Sequence, residues 1–112
     1  MSSQGDDFEA VASVGEVAEG GLLGVARANG ERVCLTRCNG EIYAFRDECT
    51  HQAFPLSAGN LAAGGSCRIE CIWHGAQFDL ATGMPVKGPA VHPLTRYVVR
   101  AENGKILIGG AL

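Results

Sequence analysis

A chain of 112 residues, 46% of them hydrophobic, suffices for one compact domain with a single core, so we expect residues 1–112 to form one domain. The formal net charge of -3 provides no basic patch for a phosphate backbone, which argues against nucleic acid as a partner. Sixteen glycines and the lack of long helical patterns indicate short strands joined by tight turns, as in an all-β domain.

The sequence has no recognisable targeting or membrane-spanning segment. Residues 1–7 are polar and acidic, unlike a secretory signal or a transit peptide. No stretch approaches the roughly 18 consecutive apolar residues that a transmembrane helix needs. We therefore expect a cytoplasmic protein that does not contact membranes.

In chain order, the first local signal is a helical turn within residues 13–19, with Ser13 as its cap and Glu16 three residues on. Asn-Gly pairs then mark three hairpins, because both residues of such a pair can adopt the positive φ angles of a two-residue turn. These pairs predict a meander over residues 22–46 and a closing hairpin over residues 95–108. The pairs are Asn29-Gly30, Asn39-Gly40 and Asn103-Gly104.

The middle of the chain is less regular. From about residue 47 to residue 92, loops that contain Gly and Pro surround two short predicted strands, at 68–72 and 77–80. We therefore predict an antiparallel β-sandwich or partly open barrel built from the two ends of the chain. A two-loop lobe is inserted into it at about 47–92.

Five cysteines are an odd number, and with no export signal they fit metal binding in a reducing compartment better than a disulfide framework. Cys34 and Cys38 fall on a hairpin strand and its turn, where we expect small buried or half-buried thiols. Cys67 precedes Cys71 by four residues, and we expect its side chain to face away on a short strand.

Two short motifs contain the chemistry: Cys49-Thr50-His51, and Cys71-Ile72-Trp73-His74 after nineteen intervening residues. In an extended loop, residues i and i+2 project to the same side, and Gly75 allows the second loop to turn tightly. Two Cys and two His are the ligands of a [2Fe-2S] centre in which one iron has two thiolates and the other two imidazoles. The candidate ligands are Cys49, His51, Cys71 and His74.

These motifs resemble the Rieske ferredoxins, whose ligand pattern C-x-H and C-x2-H is reproduced in full. The resemblance extends to residues 41–45, to Pro55-Leu56-Ser57 and to residues 74–79, and covers residues 8–109. It implies a Rieske fold, a Rieske-type [2Fe-2S] cluster and a one-electron carrier rather than an enzyme.

The resemblance also implies a subfamily. Respiratory-chain Rieske proteins carry two further cysteines that form a disulfide across the loops, where this chain has Phe54 and Trp73. They also carry a hydroxyl side chain and a tyrosine that donate hydrogen bonds toward the cluster, where this chain has Ala76 and Phe78. Such bonds stabilise the reduced centre, so we expect a potential at the low end of the range of roughly −150 to +300 mV.

Acidic residues beside the motifs also favour a low reduction potential. Asp47, Glu48 and Glu70 add negative charge near the candidate ligands. We expect these carboxylates to be exposed and screened by solvent, so that their effect on the potential is small.

The resemblance further implies two partners for a monomeric carrier: an NAD(P)H-dependent flavoprotein reductase that supplies electrons and a terminal oxygenase that receives them. That oxygenase would have its own Rieske centre and a mononuclear iron that inserts oxygen into an aromatic ring. Residues 56–61 and 82–85 are similar to the ferredoxins of carbazole and biphenyl dioxygenases.

Two alternatives remain at this point. Cys2His2 is also a zinc ligand set, so a structural zinc module for protein interaction is one, although zinc motifs usually open with Cys-x2-4-Cys. The small Rieske subunit of an assimilatory nitrite reductase is the other. Outside both motifs, His92 is expected to be a surface loop residue and not a ligand.

Overall fold

The computed structural model describes residues 8–48, 55–62, 67–71, 75–88 and 92–112. Within these residues the regular structure is β-strand, apart from two single 3-10 turns, Val14–Glu16 and Leu56–Ala58. No helix in this part of the chain is long and apolar enough to cross a membrane. The strands are β1 (Glu9–Ser13), β2 (Leu22–Ala26), β3 (Arg32–Cys38), β4 (Glu41–Arg46), β5 (Asn60–Leu61), β6 (Arg68–Glu70), β7 (Gln77–Asp79), β8 (Pro85–Lys87), β9 (Tyr97–Glu102) and β10 (Lys105–Ala111).

The strands form three antiparallel sheets. Two of them, ordered β1-β10-β9 and β2-β3-β4, make the part that we call the base. They meet at a corner where Phe45 bridges to Arg96 and the Arg46 amide donates to the Thr95 carbonyl at 2.8 Å. The third sheet, β5-β6-β7-β8, belongs to the inserted segment that we call the lobe. This arrangement confirms the predicted all-β fold with a base from both chain ends and an inserted lobe.

Two of the three predicted hairpin turns are confirmed. Asn39 and Gly40 have φ angles of 54° and 82°, and the strands on either side pair directly up to the turn. Asn103 and Gly104 behave in the same way, with φ angles of 51° and 77°. Asparagine and glycine are the residues that tolerate this left-handed conformation best, so each turn follows from its own two residues.

The prediction of a two-residue turn at Asn29-Gly30 is wrong. Of the pair, only Gly30 has a positive φ, 91°. The connection is wider, because the Arg27 amide donates to the Glu31 carbonyl at 2.7 Å. The Asn29 side chain accepts a hydrogen bond from the Glu31 amide at 2.8 Å, so this asparagine stabilises the loop through its side chain.

Strand β3 lies at the centre of the molecule because both of its faces are covered. Side chains alternate across a strand, so Val33 and Leu35 face the base core while Cys34 and Cys38 face the lobe. On the base side they pack with Ile106 and other residues of the first sheet. The lobe-side cluster also contains Phe45, Leu56, Ile69, Cys71, Ala76, Phe78, Leu80 and Leu94.

The sequence analysis missed three strands. Strand β1 pairs with β10 and completes the first sheet, while β5 and β8 flank the predicted pair β6 and β7 in the lobe. The expected helical turn is present as Val14–Glu16, where the Ser13 amide donates to the Glu16 carboxylate at 2.8 Å.

Candidate metal centre

Of the four candidate ligands, Cys71 is within the described residues, whereas Cys49, His51 and His74 lie outside them. Cys71 directly follows β6 and is fully buried. In the described part of the chain no group of three or more potential metal ligands converges. The structure therefore gives information on the metal centre through Cys71 and through the described residues that flank the two motifs.

The second motif begins at Cys71, directly after β6, and Gly75 and Ala76 follow it before β7. The Cys71 amide donates to the Ala76 carbonyl at 2.7 Å, which holds the two ends of the turn together. Gly75 has a φ of 71°, as the tight turn after His74 requires. A buried thiol at the mouth of a turn whose ends are fixed suits a soft metal ligand that is protected from solvent.

The segment of the first motif is fixed at its two ends by Asp47 and Ser57. The Asp47 carboxylate accepts hydrogen bonds from the Ser57 amide at 2.7 Å and from the Ser57 hydroxyl at 2.6 Å. Strand β2 has a glycine at this point, and a Cβ on Gly24 would lie 2.9 Å from the Ser57 hydroxyl oxygen. This close approach explains why β2 needs glycine there.

The expectation that Asp47 is exposed is wrong. Its residue exposure is only 7%, because it is enclosed between β2 and the 3-10 turn that contains Ser57. Its neighbour Glu48 is exposed, and Glu70 is half-buried. A buried carboxylate is less screened by solvent and salt than an exposed one, so Asp47 has more influence on a nearby charge than Glu48.

Strand pairing brings the chain that follows the first motif beside the strand that precedes the second motif. Asn60 of β5 pairs with Glu70, and Leu61 pairs with Ile69, so the chain after the first motif lies against β6, the strand that Cys71 directly follows. The approach is so close that a Cβ on Gly59 would collide with the Glu70 carbonyl oxygen. A single metal centre held by both motifs requires this adjacency.

Side chains near Cys71 provide apolar surroundings. Ala76 and Phe78 are fully buried in the same apolar cluster as Cys71. Neither side chain has an N–H or O–H group that could donate a hydrogen bond to a sulfur atom. Their burial also leaves little room for water to take the place of such a donor.

Two of the remaining cysteines form a disulfide that the sequence analysis does not predict. Cys38 and Cys67 are joined in a disulfide, with Cα atoms 5.8 Å apart, so the expectation of a thiol at Cys38 is wrong. Cys67 directly precedes β6, and its sulfur is bonded to that of Cys38. The sequence contains no local signal for this bond, because its two residues are 29 positions apart. The odd number of cysteines is consistent with this pair, two candidate ligands and Cys34.

Cys34 is a buried thiol, as expected. Burial raises its pKa strongly, and the nearby Asp47 carboxylate raises it further, since both disfavour a thiolate. A neutral thiol in the core is a poor metal ligand and a poor nucleophile. His92 is exposed, in agreement with the expectation of a surface loop residue.

Comparison with known proteins decides the family. Residues 7–98 match the Rieske [2Fe-2S] domain. The chain belongs to the Rieske family. Its cofactor is therefore a Rieske-type [2Fe-2S] cluster.

Two relatives of this Rieske protein are small ferredoxins of similar length. It is 33% identical to the ferredoxin component of the p-cumate 2,3-dioxygenase system of Pseudomonas putida, over 91% of this chain and 85% of the relative. It is 36% identical to the ferredoxin component of the naphthalene 1,2-dioxygenase system of the same species, over 90% of this chain and 92% of the relative.

A solved structure shows the same fold. It is a complex of reduced oxygenase and oxidised ferredoxin in carbazole 1,9a-dioxygenase, and the matching chain is 30% identical with a TM-score of 0.83, over 96% of this chain and 95% of that one. The Rieske protein described here is thus an electron-transfer ferredoxin and not a catalytic component. These relatives favour neither the nitrite reductase nor the zinc alternative.

Proposed function

We propose that this Rieske ferredoxin carries single electrons from an NAD(P)H-dependent flavoprotein reductase to the terminal oxygenase of an aromatic-ring dioxygenase system. The proposal is supported by relatives that are named as ferredoxin components of such systems. We further propose that residues 1–112 form one domain that acts as a monomer in the cytoplasm. The aromatic substrate is chosen by the oxygenase, so this chain does not determine it.

We propose Cys49 and Cys71 as thiolate ligands and His51 and His74 as imidazole ligands of the cluster. The observation that supports this most is the pairing of β5 with β6, which places the exit of the first motif segment beside Cys71. When bound, the cluster accepts and releases one electron. The two neutral imidazoles take the place of two thiolates, so the ligand set has less negative charge and reduction is easier than with four cysteines.

The described residues determine how this site is held. The hydrogen bond from Cys71 to Ala76 keeps the second turn closed, and the Asp47–Ser57 pair keeps the ends of the first segment together. Ala76 and Phe78 exclude water around Cys71 without donating hydrogen bonds. The chain's own contribution to the potential is thus an apolar environment with one buried carboxylate near it.

Electron paramagnetic resonance of the reduced protein tests this assignment. We expect a lower average g value than four thiolates produce, together with two irons and two acid-labile sulfides per chain. Voltammetry should place the midpoint potential below zero, toward the lower end of roughly −150 to +300 mV. A colourless zinc protein would rule out the cluster, and a potential well above zero would contradict the role assigned to Ala76 and Phe78.

The partners are tested by reconstitution. We expect NAD(P)H oxidation coupled to ring dihydroxylation only when the flavoprotein reductase, this chain and the terminal oxygenase of a dioxygenase system are combined. Coupling that is equally fast without this chain would contradict the proposed role. Isolation of a nitrite reductase large subunit as its native partner would favour the alternative instead.

Replacement of Asp47 by asparagine should raise the midpoint potential by tens of millivolts. The reduced cluster is the more negative form, and for two unit charges at a separation of about 10 Å, an effective dielectric constant of about 20 would give an interaction of about 1.7 kcal/mol. Asparagine keeps a side chain of similar shape that can still bond Ser57, so the change isolates the charge. Square-wave voltammetry measures the shift.

The matched control is Glu48→Gln, which removes a carboxylate that is one residue closer to Cys49 but is exposed. Because solvent and salt screen an exposed charge, we expect the midpoint potential of Glu48→Gln to shift by only a small fraction of the shift in Asp47→Asn. Equal shifts in the two variants would show that burial of Asp47 has no bearing on the potential.

A further inference from the structure

We propose that Cys38 and Cys67 form a second redox site of this protein, a two-electron dithiol–disulfide couple that covalently joins the base to the lobe and sets how firmly the cluster is held. The bond starts at Cys38, the last residue of β3 in the base. It ends at Cys67, the residue before β6 in the lobe. The inference rests on the proposed ligand set, because its effect is exerted on the segments that contain those ligands.

The position of the bond relates it to both motif segments. The loop that it closes spans 29 positions and contains the first motif, Cys49 to His51. Outside the loop, Cys67 leads through β6 directly to Cys71. Opening the bond therefore removes the restraint on the loop that contains the first motif. It also releases the start of β6, the strand that leads to Cys71.

The base end of the site is held independently of the bond. The amides of Asn39 and Gly40, in the turn after Cys38, donate to the Glu19 carboxylate at 2.5 and 2.9 Å. Asn39 also places its side-chain amide 3.3 Å from the Cys67 sulfur. A fixed hairpin end keeps Cys38 in place after the bond opens, so the same two sulfurs can pair again.

The lobe end is the side that a reductant can reach. Cys67 is partly exposed, whereas Cys38 is 6% exposed. Cys67 also has a φ of 52°, a left-handed conformation that is uncommon for a residue with a side chain. Release of the bond removes one of the constraints that hold Cys67 in that conformation, so the start of β6 is the part of the lobe that responds.

Opening the bond need not unfold the protein. Both residues pack against the lobe-side core, and reduced cysteines remain small apolar groups that fit the same places. Phe45, Leu56 and Phe78 in that core continue to hold base and lobe together. The bond therefore changes the restraint on the lobe and leaves the fold intact.

The chemistry balances with a dithiol as the reductant. The dithiol provides two electrons and two protons, the S–S bond breaks, two S–H groups form on Cys38 and Cys67, and the reductant leaves as a disulfide. A reduced cluster provides a single electron, so it does not reduce the bond by itself. In a cytoplasm, where disulfides that do form are usually transient or redox-sensing, such a couple would report the thiol redox state.

The first measurement determines whether the couple exists. The cluster-loaded protein is equilibrated with mixtures of reduced and oxidised dithiothreitol, quenched with an alkylating reagent, and analysed by peptide mass spectrometry at Cys38 and Cys67. We expect both residues to become alkylated together along a two-electron curve. Full alkylation of both in protein that was equilibrated with the oxidised reagent alone would overturn the proposal.

The second measurement determines whether the couple acts on the cluster. The oxidised protein and the opened protein, kept reduced by dithiothreitol, are exposed to an iron chelator, and loss of visible absorption is followed in time. We expect several-fold faster loss from the opened form, and from the double variant Cys38→Ala with Cys67→Ala whether or not dithiothreitol was added. Equal rates in the closed and opened wild-type protein would overturn the proposal even if the variant does not fold.

A matched control is Cys34→Ala, which removes a buried cysteine outside the pair. It should lose its cluster at the wild-type rate and keep its response to dithiothreitol. Failure of this inference is distinguishable from failure of the proposed function, because the paramagnetic signal of the reduced cluster and electron delivery to an oxygenase test only the latter.

Discussion

Replacement of Cys71 by alanine should produce a colourless protein. Each proposed ligand supplies one of four bonds to the cluster, and the loss of a buried thiolate leaves one iron with a single protein ligand where solvent cannot readily replace the other. Because ligation also orders the surrounding chain, the lobe should become less stable. Visible absorption and iron content per chain measure the first effect, and amide hydrogen exchange at β6 and β7 measures the second.

The matched control is again Cys34→Ala, since Cys34 is equally buried and faces the same core. Its raised pKa keeps the thiol neutral, so it is not expected to bind metal. This variant should retain full visible absorption. A coloured Cys71→Ala protein, or a colourless Cys34→Ala protein, would show that the ligands have been assigned wrongly.

Replacement of Phe45 by alanine should cost about 3–5 kcal/mol of folding free energy. Phe45 lies on β4, is fully buried, and packs in the core between base and lobe. The cavity left by its ring would lie between the base and the lobe. Because Phe45 bridges to Arg96, this cavity cannot collapse unless a strand moves. For a chain of this size we expect the thermal unfolding midpoint to fall by more than about 10 °C.

Phe8→Ala is the control for the loss of a phenyl ring. Phe8 is half-buried near the start of β1, with its ring centroid 4.3 Å from the guanidinium carbon of Arg100. Such a cation–π contact contributes about 0.5–1 kcal/mol at an exposed site, so the midpoint should fall much less. Equal falls at one scan rate would contradict the central position of Phe45.

Local sequence signals were sufficient for part of the fold. The turns at Asn39-Gly40 and Asn103-Gly104 are predictable because asparagine and glycine tolerate the positive φ angles that a two-residue turn needs. The same reasoning failed at Asn29-Gly30, where the Arg27–Glu31 hydrogen bond and the Asn29 side chain form a wider loop. An Asn-Gly pair permits a tight turn, and strand register decides whether one forms.

Burial and disulfide pairing were not predictable in this way. A carboxylate beside the first motif is expected to be exposed and screened, yet Ser57, ten residues after Asp47, supplies two donors that compensate the burial of Asp47. Cys38 and Cys67 carry no common pattern, and only the packing of the lobe on β3 brings them within bonding distance.

The sequence by itself determined the types and order of the candidate ligands, the family, and the turns that depend on adjacent residues, because these follow from chemistry within a few positions of the chain. The tertiary structure alone decided that β5 lies beside β6, that Asp47 is buried, and that Cys38 meets Cys67. Contacts between residues that are tens of positions apart depend on how whole sheets pack, and no short stretch of sequence encodes that.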